Sequence, residues 1–119
     1  MQSFKNLKVW EKAHVLTLDV YRSTKSFPRD EIYGLTSQMR RSAASIGANI
    51  AEGVCRKGDL EFGRFLHIAM GSASELEYHL LLSRDLDLLQ MADYDRLFCE
   101  ATEVKRMLAS LMHKLKAGS

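Results

Sequence analysis

The chain is short of nearly everything that interrupts helices. One proline and seven glycines stand among its 119 residues, too few turn formers for a strand-rich fold, so helices are expected throughout. Cysteine is almost as scarce. Cys55 and Cys99 are too few and too far apart for a disulfide framework or a zinc knuckle, and read as reduced structural thiols. No run of about eighteen uncharged apolar residues occurs, which excludes a membrane-spanning helix and a membrane partner. The opening Met-Gln-Ser-Phe-Lys-Asn lacks the apolar stretch of a signal peptide, so the expected compartment is the cytoplasm.

Chemical signatures are also missing. No glycine-rich phosphate loop, Gly-x-Ser-x-Gly elbow or His-Glu-x-x-His pair is present, and no catalytic residue or cofactor is expected. Helical bundles that hold two metal ions need two Glu-x-x-His motifs and two further inward glutamates. This chain has neither motif. Glu75 and His79, one turn apart, supply at most two ligands and read as a hydrogen-bonded structural pair, so no metal is expected. His14, His67 and His113 stand singly on three helices.

What is present is apolar periodicity. With 46% apolar and 27% charged residues in 13.5 kDa, the composition is globular and the length fits one domain over residues 1–119. A first helix is expected over about 7–26, on the stripe Val9, Ala13, Leu16 and Val20, ended by Phe27-Pro28. A second, about 35–56, carries Met39, Ala43, Ile46 and Ile50. Its middle is dense in small residues, and Gly47 in a helix interior suggests a close contact there. Lys57-Gly58-Asp59 supplies a stop followed by an aspartate N-cap. The third helix, about 60–89, has the strongest seam: Phe62, Leu66, Ala69, Ala73, Leu76 and Leu80 alternate spacings of four and three. Asp93 is expected to cap a fourth, about 94–116, with the seam Leu97, Ala101, Val104, Leu108, Leu111 and Leu115. Short connections make these neighbours antiparallel. The fold class is therefore all-α, an antiparallel up-down-up-down four-helix bundle roughly 30 Å long.

Two polar features stand out against this frame. Gln38, Arg41, Ser45, Asn49 and Glu52 line one side of the second helix, opposite Ser72, Glu75 and His79 on the third. A hydrogen-bond network, inside the subunit or at a subunit interface, is favoured over a ligand site, because buried polar groups need partners and such networks fix register. The second feature is charge segregation. Residues 1–29 hold six Lys/Arg against two Asp/Glu (+4), whereas residues 59–90 hold two against six (−4), within a net charge of only +2. Either these segments are matched neighbours or the basic one faces nucleic acid. The cations available to a phosphate backbone are Lys5, Lys8 and Lys12 on the first helix, with Arg40, Arg56, Lys57 and Arg64 around the second and third. Apolar residues lie on more than one helix face, Trp10, Tyr21, Leu81, Phe98 and Met112 among them, and a lone bundle does not cover them all.

A wider pattern runs through these positions: Phe4-x-x-Leu7-x-Val9-Trp10, Phe27-Pro28-x-x-Glu31-x-x-Gly34-Leu35, the block Ser45-Ile46-x-x-Asn49-Ile50-Ala51-Glu52-Gly53, and Gly71-Ser72-x-x-Glu75-Leu76-Glu77. It resembles the four-helix-bundle family of bacterial 23S ribosomal RNA intervening-sequence proteins, over nearly the whole chain. That family is itself similar to the accessory variability protein of diversity-generating retroelements, a basic pentamer that binds nucleic acid and a reverse transcriptase. The resemblance implies a bacterial, non-enzymatic homo-oligomer, often a barrel-shaped pentamer, that associates with RNA or another nucleic acid. It places the family pattern on Arg41, Ser45, Asn49, Glu52, Ser72 and Glu75. The alternative is a protein-interaction scaffold with a protein partner and no nucleic acid.

Overall fold

In the computed structural model, which describes residues 3–118, four α-helices follow a short 3-10 turn over Phe4–Asn6: α1 (Lys8–Ser23), α2 (Leu35–Val54), α3 (Asp59–Asp85) and α4 (Met91–Gly118). A second 3-10 turn, Arg29–Glu31, lies between α1 and α2. Each helix packs against the next and α1 closes on α4, while the α1 and α3 backbones stand diagonally apart. The architecture is a four-helix bundle with antiparallel neighbours: Asp19, late in α1, meets Arg96, early in α4, and Met39, early in α2, meets Ser83, late in α3.

The buried residues are those that the seams mark. Ala13, Leu16 and Val20 of α1, Met39, Ala43, Ile46 and Ile50 of α2, Leu66 through Leu80 of the α3 seam, and Leu97, Ala101, Val104 and Leu108 of α4 are sealed from solvent. Apolar side chains recurring every three or four residues fall on one side of a helix, and four such sides share one core. The molecule extends over 46 × 22 × 20 Å. It exceeds the expected 30 Å because α3 and α4 run 27 and 28 residues, about 40 Å at 1.5 Å per residue.

Helix ends depart from the sequence reading for identifiable reasons. The first helix stops at Ser23 rather than 26: the Thr24 amide still bonds the Val20 carbonyl, but the Lys25 amide turns to the Arg22 carbonyl and the Phe27 amide to that of Thr24, tighter turns that lead into Phe27-Pro28. Past the Phe27-Pro28 break, Glu31 accepts a hydrogen bond from the Leu35 amide at 3.1 Å and so caps α2 from outside the helix. The second helix ends at Val54, two residues early. Asp59 is not an N-cap; Gly58, at φ +84°, takes that place in a conformation that favours glycine, and Asp59 is the first helical residue. The third helix stops at Asp85. Asp87 turns to φ 61°, its amide bonds the Arg84 carbonyl, and the Leu88 amide reaches back to the Ser83 carbonyl at 2.9 Å, a Schellman closure built on a non-glycine residue. The fourth begins at Met91, so Asp93 lies inside its first turn, bonded to Arg96 at 2.8 Å.

Gly47 is not the tight point of α2. A methyl there would stand 3.5 Å from Trp10 Nε1, an ordinary contact, whereas at Gly53 it would meet Phe62 Cδ1 at 2.8 Å and Phe65 Cβ at 2.9 Å.

Candidate nucleic-acid interface

The polar set of α2 and α3 divides in two. Ser45 and Ser72 join their hydroxyls across the seam at 2.9 Å, and Asn49 donates to the Ser45 carbonyl at 2.8 Å and to its hydroxyl at 3.0 Å, all half-buried. Gln38, Arg41, Glu52 and Glu75 are exposed on the same side of the molecule. Glu52 is taken up by Arg56 at 3.0 Å. His79 does not pair with Glu75; its Nδ1 is buried without a hydrogen-bond partner. A single chain thus assembles three of the eight residues and leaves the rest facing outward or unsatisfied.

The cations divide as well. Arg40 is not a free surface charge: its guanidinium lies 4.7 Å from the Tyr21 ring centroid, and its Nε donates to Thr24 Oγ1 at 2.9 Å. Arg56 covers the Phe65 ring at 5.0 Å besides holding Glu52, and Arg64 pairs with Glu61 at 3.0 Å. Lys57 is exposed on the α2–α3 connection. Lys5, Lys8 and Lys12 are exposed, and among the described residues none has a carboxylate partner. Lys5 lies in the 3-10 turn and Leu7 after it is extended, so it is Lys8 and Lys12, one helical turn apart, that share the start of α1 on the side toward α4.

Antiparallel packing brings the end of α4 to that side. Lys8 and Lys114 flank a groove of about 310 Å³ whose walls include Leu7, Met107 and Leu111, with the Ser110 hydroxyl at its edge. The sequence reading missed Lys114, which on its own helix is one lysine among several. Only the α1/α4 register, which sets the beginning of one helix beside the end of the other, gives it a role.

Farther along the same seam the charges are neutralised. Arg96 grips Asp19 with two hydrogen bonds of 3.0 and 2.9 Å, reaches Ser23 Oγ at 3.2 Å and lies 3.8 Å from Glu100. The guanidinium holds the Asp19 carboxyl below the usual carboxylate range, and the carboxylates raise the pKa of Arg96 in return. Glu100 is pushed up to about 7, first by burial and then by facing Asp19; its Oε1 is buried without a partner. The seam is therefore basic at the Lys5–Lys8 end and close to balanced around Arg96, where the charge of Lys12 also acts on Glu100. On the opposite side of α4, Glu77 of α3 accepts from Lys105 at 2.8 Å and Thr102 at 3.2 Å.

The described residues contain no group of three or more His, Cys, Asp or Glu that could hold a metal ion, and no helix among them is long and apolar enough to cross a membrane. The arrangement is that of a helical bundle with one basic edge. The model of the 23S rRNA-intervening sequence protein family matches residues 5–110, and the chain belongs to that family. Its fold is similar to the crystal structure of a protein of unknown function from the S23 ribosomal protein family of Bacteroides thetaiotaomicron. That similarity has a TM-score of 0.79 and 26% identity, covering 87% of this chain and 97% of the other. No curated protein matches the chain.

Proposed function

We propose that this protein is a non-enzymatic, self-associating bundle that binds structured RNA through the basic α1/α4 edge. The observation that carries the reading is the contrast among its cations. Arg40, Arg56 and Arg64 are engaged within the chain, whereas Lys8 stands exposed beside Lys114, with Lys5 in the turn before it and Lys12, whose charge also reaches Glu100, one helical turn on. Exposed lysines gathered at one end of the bundle suit a phosphate backbone, which needs positive charge at suitable separation and little else. The family's name, with its reference to 23S rRNA, supports the choice of nucleic acid.

Titration of a structured RNA between about 50 and about 200 mM salt tests the reading. Affinity is expected to fall steeply with salt. Lys5→Gln, Lys8→Gln and Lys12→Gln together should flatten the logarithmic slope by about one per lysine that meets a phosphate. The same three changes on a chain whose binding ignores salt, or no binding at low ionic strength, would sink the proposal. A second reading, a protein-interaction scaffold, draws on Ile32 and Tyr33, 52% and 94% exposed side by side between α1 and α2. It expects a protein partner that is retained after nuclease treatment and lost with Tyr33→Ser.

A further inference from the structure

The end of the bundle that holds Lys8 and Lys114 carries a second groove, on the other side of α4. It lies between the start of α3 and the end of α4, measures about 480 Å³, and has apolar walls made by Leu60, Met112 and Leu115. Met112 and Leu115 are half-buried, whereas Leu60 is 83% exposed. Gly63 forms part of the wall. Glycine weakens a helix relative to alanine, and a methyl at this position would meet nothing within 4 Å. No contact within the chain therefore calls for glycine here, and its effect is to keep the groove open.

The polar groups of the groove select its occupant. Asp59, Arg64 and His67 line it. Arg64 pairs with Glu61 at 3.0 Å while its side chain stays 73% exposed, and Asp59 forms no ion pair among the described residues. A small anion fits poorly, because Glu61 already answers Arg64 and Asp59 would repel it. An aliphatic side chain of a protein partner would use none of the three polar groups. A nucleobase uses them all. Neutral and flat, it lays its faces on apolar walls, stacks on an imidazole or a guanidinium, and offers edge donors that a carboxylate accepts. The phosphates on either side of such a base need cations just outside the groove. Lys57, two residues before Asp59, and Lys114, next to Leu115, are exposed and have no carboxylate partner among the described residues.

We infer that the groove between the start of α3 and the end of α4 takes one unpaired base of a bound RNA, whose flanking phosphates lie on Lys57 and Lys114. The inference rests on the RNA reading proposed above and adds the kind of RNA: one that presents an unstacked nucleotide, as a loop or a bulge does, and not a continuous duplex. Two grooves flank the last turns of α4, one with Lys8 and Lys114 on the α1 side and this one with Leu115 on the α3 side. A strand that crosses α4 at this end meets the cations first and the groove next.

Two RNAs of equal charge test this, a hairpin with the fluorescent base 2-aminopurine in its loop and a blunt duplex. The hairpin is expected to bind about tenfold more tightly than the duplex, and its bound 2-aminopurine should be shielded from quenching by iodide. Gly63→Leu fills the groove from a position where added atoms meet nothing, so circular dichroism should show unchanged helix. In that variant the hairpin is expected to fall to the affinity of the duplex, the duplex to bind as before, and iodide to reach the base again. Binding of neither RNA at low salt overturns the RNA reading and this inference together. Equal binding of the two RNAs by the wild type, or a 2-aminopurine that iodide still reaches in the wild-type complex, overturns the groove alone. So does a hairpin preference that survives Gly63→Leu. A Gly63→Leu chain that changes its sedimenting mass and leaves the base shielded also overturns it, and assigns the groove to a second copy of the chain.

Discussion

The α2/α3 and α1/α4 seams hold the same bundle together by opposite means. Across α2/α3 the helices approach closely where small residues allow it: Gly53 sits under Phe62 and Phe65, and two serine hydroxyls touch at 2.9 Å. Across α1/α4 the joint is made by long charged side chains, Arg96 reaching Asp19 and Glu100 wedged beside them with a bare oxygen. The first seam is limited by volume. The second is limited by charge and should respond to pH. A close-packed joint leaves no room to present a ligand surface, while a joint spanned by long side chains leaves grooves along its length, which is where the free lysines lie.

The largest effect is expected from adding one carbon to the tight seam. In Gly53→Ala the methyl would fall 2.9 Å from Phe65 Cβ. The Phe62 ring can swing aside, but Phe65 Cβ is fixed to the α3 backbone, so the helices must separate. Overpacking of this kind outweighs alanine's advantage in a helix, and a net loss of about 2 kcal/mol is expected. Urea denaturation should show it as a lower midpoint with an unchanged slope.

The charged seam should break with pH instead. Glu100 titrates at about 7 in the fold against an ordinary 4.5, so between those values the native state holds more protons than the unfolded chain. Its contribution is complete below pH 4.5 and is lost as pH rises through about 7. Asp19 moves the other way: held below its ordinary 3.8, it stabilises above that value and loses its contribution only in stronger acid. The Glu100 side chain is 27% exposed, and with solvent screening the swing should be about 1.5 kcal/mol. Glu100→Gln is expected to flatten the stability profile between pH 4.5 and 7, and Gly53→Ala to leave its shape alone. An unchanged profile in Glu100→Gln would remove the electrostatic account of this seam.

The comparison also separates what a sequence carries from what it does not. Val9, Ala13, Leu16 and Val20, or the α3 seam, are legible because burial follows the helical repeat whatever the neighbour is. Helix ends were less so. Asp59 and Asp93 have the right chemistry for caps, but Gly58's left-handed geometry and the pull of Arg96 decide the actual starts. The candidate site was legible only by halves. Lys8 and Lys12 share a side by spacing within one helix, whereas the engagement of Arg40 depends on Tyr21 and Thr24, sixteen or more residues away. Lys114 likewise matters only through its partner helix. Contacts between helices are not periodic, and nothing local encodes them.

A second glycine on α2 gives the smallest effect and the sharpest control. Gly47 faces α1, six residues before Gly53, and a methyl there would stand 3.5 Å from Trp10 Nε1 with nothing closer. The change removes only the backbone freedom that glycine contributes to the unfolded chain, so Gly47→Ala should raise stability by about 0.7 kcal/mol in dilute solution, where copies are apart. Two identical substitutions in one helix would then have opposite signs, and only the distance to the neighbouring helix differs between them. If both destabilise alike, α1 packs on α2 as closely as α3 does and volume no longer distinguishes the seams.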